Sequence, residues 1–76
     1  MVDKEPFYKI LSLANRHVAE MAAMIKQQEQ LITELRDKGH DTKLAEPLLE
    51  KLRKTARTMA EYQESIAEQI RLLESD

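Results

Sequence analysis

Cysteine is missing from all 76 residues of this chain, so no disulfide can form, and most structural zinc sites, which depend on thiolates, are excluded with it. Tryptophan is also absent, and the aromatics amount to one Phe and two Tyr. A single Gly and two Pro leave few places for the chain to turn, and no strand signal is visible. The longest apolar run, Met21 to Ile25, falls far short of the about 20 apolar residues that span a bilayer. The opening Met1-Val2-Asp3-Lys4-Glu5-Pro6 lacks the basic segment and apolar stretch of a secretory signal or transit peptide, so a cytoplasmic location is expected. An excess of positive charge is missing too. Net charge is −2, which argues against a dedicated nucleic-acid binder.

What is present is helix-forming. Ala, Leu, Glu, Lys, Gln, Arg, Ile and Met dominate, and these side chains lose little freedom in a helix. The length allows one domain, near the size at which a single-chain core becomes marginal. With disulfides excluded and zinc disfavoured, oligomerisation is the remaining aid to stability.

Apolar residues in the first half recur at Phe7, Leu11, Ala14, Val18, Met21 and Ile25, and after Gln28 at Ile32 and Leu35. The alternating spacing of four and three is a heptad seam. Asp3 suits an N-cap, and Pro6 is tolerated in a first turn. These signals predict a helix over 4–38. Lys38-Gly39-His40-Asp41-Thr42 reads as a left-handed C′ glycine followed by an Asp or Thr N-cap, giving a turn at 39–41. A second seam follows at Ala45, Leu49, Leu52, Ala56, Met59, Gln63, Ile66, Ile70 and Leu73, predicting a helix over 42–74. Pro47 lies deeper than the first turn of that helix and should remove one backbone hydrogen bond, with a slight bend.

So short a link makes the helices antiparallel neighbours. Folded about the turn, facing seam residues carry numbers that add to 80 or 81 throughout, from Leu35 opposite Ala45 to Phe7 opposite Leu73. The expected fold is all-α, a coiled-coil-like two-helix antiparallel hairpin spanning residues 1–76. A half-covered seam looks insufficient against the cost of ordering the chain, on the order of 1.5 kcal/mol per residue. A second apolar stripe flanks the seam, with Ile10, Leu13, Met24 and Leu31 on the first helix and Leu48, Ala60, Tyr62 and Ala67 on the second. Ile10, Leu13, Met24, Leu31, Leu48 and Tyr62 are therefore the candidate interface. The economical way to cover them is a symmetric homodimer forming a four-helix bundle, and a helix from another protein could occupy the same stripe.

Chemistry-bearing clusters are few. His17 and Glu20 are one turn apart, but dimetal bundles need Glu-x-x-His units with further inward carboxylates, so a half-buried His at the bundle edge explains the pair and no metal is expected. His40 and Asp41 are adjacent in the turn, where capping accounts for the Asp and solvent for the His. Gln28 and Gln63 interrupt the seam and either fix its register or lie at its edge with the amide in water. Lys51, Arg53, Lys54 and Arg57 form the one basic cluster, placed by spacing on the outward face of helix two. It could grip phosphates, or be a solvated face balanced by Glu46, Glu50, Glu61 and Glu64. No catalytic site and no cofactor is expected.

Arg16-His17-Val18-Ala19-Glu20, followed by Ile25, Gln28, Leu31, Ile32 and Leu35, then Gly39-His40-Asp41-Thr42 with Ala45, Leu49 and Leu52, resembles a group of short bacterial proteins. They share a pattern RHVAE … Q..LI..L … GHDT over roughly residues 16–55. The resemblance implies a natural bacterial helical hairpin and brings no activity, substrate or site. The expected function is a non-enzymatic helical interaction or oligomerisation module, a small regulator or adaptor docking on a partner protein. The alternative is a small nucleic-acid-binding bundle that uses the basic face of helix two.

Overall fold

The computed structural model describes residues 3–75 and contains two helices, α1 (Glu5–Asp37) and α2 (Ala45–Glu74), packed against each other. No strand occurs among the described residues. The hairpin measures 61 × 14 × 14 Å, which is what arms of about 50 Å at 1.5 Å per residue produce once the turn is added.

Every seam position is buried or half-buried, from Phe7 to Leu35 on α1 and from Ala45 to Leu73 on α2. The core proper is thin. Only Ala14, Met21, Ile32, Ile66 and Ile70 count as buried hydrophobics among the described residues, and no large side chain is fully enclosed. One layer of side chains between two cylinders can do no better, because each seam residue has a neighbour on one side and water on the flanks.

Polar links across the seam fix the register. Tyr8 donates to Glu74, Arg53 to Glu29 and Arg36 to Glu46, and the residue numbers in each pair add to 82. That is what seam pairs adding to 80 or 81 require of residues one step further round each helix. Gln28, a seam residue, donates its amide across to the Ala45 carbonyl at 2.9 Å, so this interruption ties the two helices together near the turn. Gln63 at the other end reaches the Asn15 side chain.

The bounds of α1 lie within a residue of those expected, but the residue at its N-cap is Lys4, whose side chain makes no capping bond, and not the expected Asp3. Asp3 Oδ1 accepts the Glu5 N–H at 3.0 Å, and Pro6 is the second helical residue, where its missing donor has no helical acceptor. At the far end Gly39 has φ +74°. The His40 N–H bonds the Leu35 carbonyl at 2.8 Å and the Gly39 N–H that of Arg36 at 3.0 Å, the two bonds of a Schellman cap. A Cβ added to Gly39 meets nothing within 4 Å, so the cost of a side chain there is purely conformational. Gly39→Val should lower stability by roughly 1–2 kcal/mol, read as a shifted urea midpoint, with Gly39→Asn losing less. An unshifted midpoint for Val would rule out the cap as a contributor.

The second helix starts later than the sequence suggests, at Ala45 and not at 42. The expected Asp or Thr N-cap is not what the helix uses: Leu44 occupies the N-cap and makes no side-chain capping bond, while Asp41 Oδ1 accepts the Lys43 N–H at 2.9 Å in the turn ahead of it, and the Thr42 carbonyl accepts from Ala45 and Glu46 at 3.1 and 3.0 Å. The next rung would need an N–H on residue 47, which proline lacks. Regular helix therefore begins beyond an irregular opening turn. Pro47 is consequently the third residue of α2, inside its first turn, and the bond it removes is the one to Lys43, ahead of the regular helix.

Candidate interaction surface

With the seam at heptad positions a and d, antiparallel packing brings the e positions of both helices to one broad side of the hairpin. The g positions, with c beyond them, come to the other. The two sides differ in chemistry.

The e side is polar and closed. It holds the pairs Tyr8–Glu74, Glu29–Arg53 at 3.1 Å and Arg36–Glu46, together with the Gln63–Asn15 bond at its edge. The bond to Glu74, helped by some desolvation and the carboxylate charge, raises the Tyr8 phenol above its ordinary pKa. All these groups are largely exposed, so each link contributes little to stability, and their role is orientation more than strength. Near the turn this side carries an open groove of about 400 Å³ whose walls include Glu29, Arg36, Glu46 and Arg53. Those four are already paired with one another, and the carboxylate of Glu50 lines the groove beside them.

The g and c side is open and carries most of the exposed hydrophobics, with Glu20, Glu34 and Lys51 among them at c positions. Ile10, Leu13, Met24, Leu31, Leu48 and Tyr62, the candidate interface residues, all lie here and are 40–54 % exposed. Two residues that the sequence reading did not single out join them at c positions, Leu44 at 93 % and Leu72 at 56 % exposure. They are four heptads apart with Lys51, Thr58 and Ser65 between them, so no run of apolar residues marks them out. Ala60 and Ala67, read as part of the same stripe, occupy e positions on the polar side. A flank count that pools both edges of a seam cannot separate the two. His17, half-buried, lines an apolar depression of about 230 Å³ with Ala14, Thr58, Met59 and Tyr62.

The basic cluster does not form one outward stripe. Arg53 turns across the seam to Glu29, Arg57 borders a groove beside Ile25 and Glu50, and Lys51 falls at a c position on the apolar side. Lys54 alone points fully outward by register. Heptad arithmetic that treats every non-seam position as outward misses that e positions are drawn to the partner helix. Elsewhere on the surface Arg71 bonds Glu68, and this hydrogen bond holds the Glu68 carboxyl below its usual pKa.

Among the described residues no group of three or more His, Asp or Glu is gathered as metal ligands would be, and His40 and Asp41 are exposed in the turn. No helix among them is long and apolar enough to cross a membrane. No family model, curated protein or solved structure matches this chain.

Proposed function

We propose that this chain is a non-enzymatic helical interaction module that works by self-association, closing its apolar side on a second copy to form a four-helix bundle. The observation that carries the reading is the segregation of exposed hydrophobics. Of the nine large apolar side chains exposed among the described residues, eight lie at g or c positions on one side, and the ninth, Tyr8, is held on the polar side by Glu74. A patch so concentrated marks an interaction surface, whereas scattered exposed Leu residues need no explanation.

Areas support a full second layer. The chain exposes 6054 Å², where a compact monomer of its mass exposes on the order of 4,800 Å². A broad side of the whole hairpin, 61 Å long and 14 Å wide, has a projected outline of about 850 Å², the scale of one partner's share in an interface of standard size. Arg53 engaged with Glu29 speaks for the solvated-face reading of the basic cluster over the phosphate-binding one.

Light scattering at micromolar concentration should give twice the 8.9 kDa chain mass, and the melting temperature should rise with concentration because folding and association are linked. A helical species of single-chain mass, melting at one temperature over a hundredfold dilution, would overturn the reading.

A further inference from the structure

The two copies can close face to face in two ways, with their turns at the same end or at opposite ends, and the residues on the apolar side choose between them. We infer that the dimer is head-to-tail, with the turns at opposite ends and a two-fold axis crossing the arms near residues 20–21 and 58–59; this rests on the self-association reading above. In that arrangement α1 packs on the partner's α1 and α2 on the partner's α2, both antiparallel.

The first observation is at the ends. Leu44 beside the turn and Leu72 near the open end are the most exposed large hydrophobics among the described residues, and both fall in the c register of α2, Leu44 as its N-cap. With turns opposed, Leu44 of each copy meets Leu72 of the other, so both lie against an apolar partner. With turns together, Leu44 is set against Glu34, a pairing that strands a leucine against a carboxylate.

The second observation is the order of g residues along the side. Head-to-tail packing sets His17 against Met24 and Tyr62 against Thr55, a ring or bulky group against a smaller or more flexible one, as dense packing wants. Turns together would instead bring two His17 and two Tyr62 into a single layer, crowding four polar rings where the half-buried depression offers about 230 Å³ per copy. The head-to-tail form does set Glu20 near its symmetry mate. Both carboxylates sit on the exposed rim, where solvent and salt screen them.

Because the chain has no cysteine, His40→Cys supplies one attachment point, in the exposed turn and away from the apolar side. Spin-labelled protein at a concentration where light scattering shows dimer should give a label separation close to the 61 Å length of the hairpin. A separation below about 25 Å, roughly two helix diameters, overturns the head-to-tail arrangement while leaving self-association intact. A sample with single-chain mass and no dipolar modulation at any concentration removes the dimer itself, and the arrangement falls with it. A mixed sample of Leu44→Cys and Leu72→Cys chains gives a second readout: oxidation should yield mainly the mixed disulfide dimer, and a product dominated by like pairs would count against the arrangement.

Discussion

Met24→Glu combined with Leu31→Glu should convert the proposed dimer to a chain of single mass and take much of the helicity with it at micromolar concentration. Both residues are g positions of α1 on the apolar side, each a little under half exposed in the single hairpin. A two-fold interface receives four carboxylates from the double substitution. Each buried, unpaired charge costs several kcal/mol, whereas a micromolar dimer is held by about 8 kcal/mol in all. The charges win, and association is lost. The seam between α1 and α2 is untouched by either change, so loss of helicity reports how far the hairpin depends on its second layer. Ala19→Glu with Lys26→Glu, at exposed b positions on the outer surface, adds charge to the same helix away from the interface and should leave the mass unchanged. A wild-type mass and melting curve for the Met24 and Leu31 variant would show that this side takes no part in assembly.

The seam was readable because burial imposes a strict period on it. All of Phe7 to Leu35 and Ala45 to Leu73 at the a and d spacing went inside or half inside, and the constant sum of facing numbers tested one helix against the other. Gly39 was readable for a different reason: a positive φ has one cheap residue. The start of α2 was not, since the cost of Pro47 depends on which N–H the first rung needs, and Asp41, Thr42 and Ala45 all offer credible starts. The sides of the hairpin were harder still. Ile10, Leu13, Met24 and Leu31 stood out as hydrophobics, but assigning Ala60 and Ala67 to the same stripe required knowing which flank faces which. That follows only once the antiparallel pairing is fixed in space. Arg53 shows the same gap, because its pairing with Glu29 depends on a number sum of 82, a test that sequence reading could have applied to charges as it did to the seam. Leu44 and Leu72 carried no local signal, and only their exposure in three dimensions shows that they share a side.

Ile66→Ala should be the most damaging single truncation, lowering stability by about 2–5 kcal/mol. Ile66 is one of five buried hydrophobics among the described residues, and the register sets it opposite Ala14, itself buried. Removing three carbons there leaves alanine facing alanine between two helices held at their separation by Met21 and Ile70, so the gap does not close and the surrounding atoms lose their contacts. A chain of this length has a total stability on the order of 4–11 kcal/mol, which makes the loss a large fraction of the whole. Returning the missing volume from the other side tests the register directly. Ala14→Ile together with Ile66→Ala restores the side-chain volume of that layer with the large and small members exchanged, and volume-conserving rearrangements of a core cost less than cavities do. The double variant should regain more than half of what the single one loses, as measured by urea denaturation at fixed chain concentration. Ala14→Ile alone should be destabilising, since it adds bulk to a layer that Ile66 already fills. If the double variant is no more stable than the sum of its two parts, Ala14 and Ile66 do not share a layer. The pairing of every seam residue from Phe7 to Leu73 would then have to be shifted along the helix.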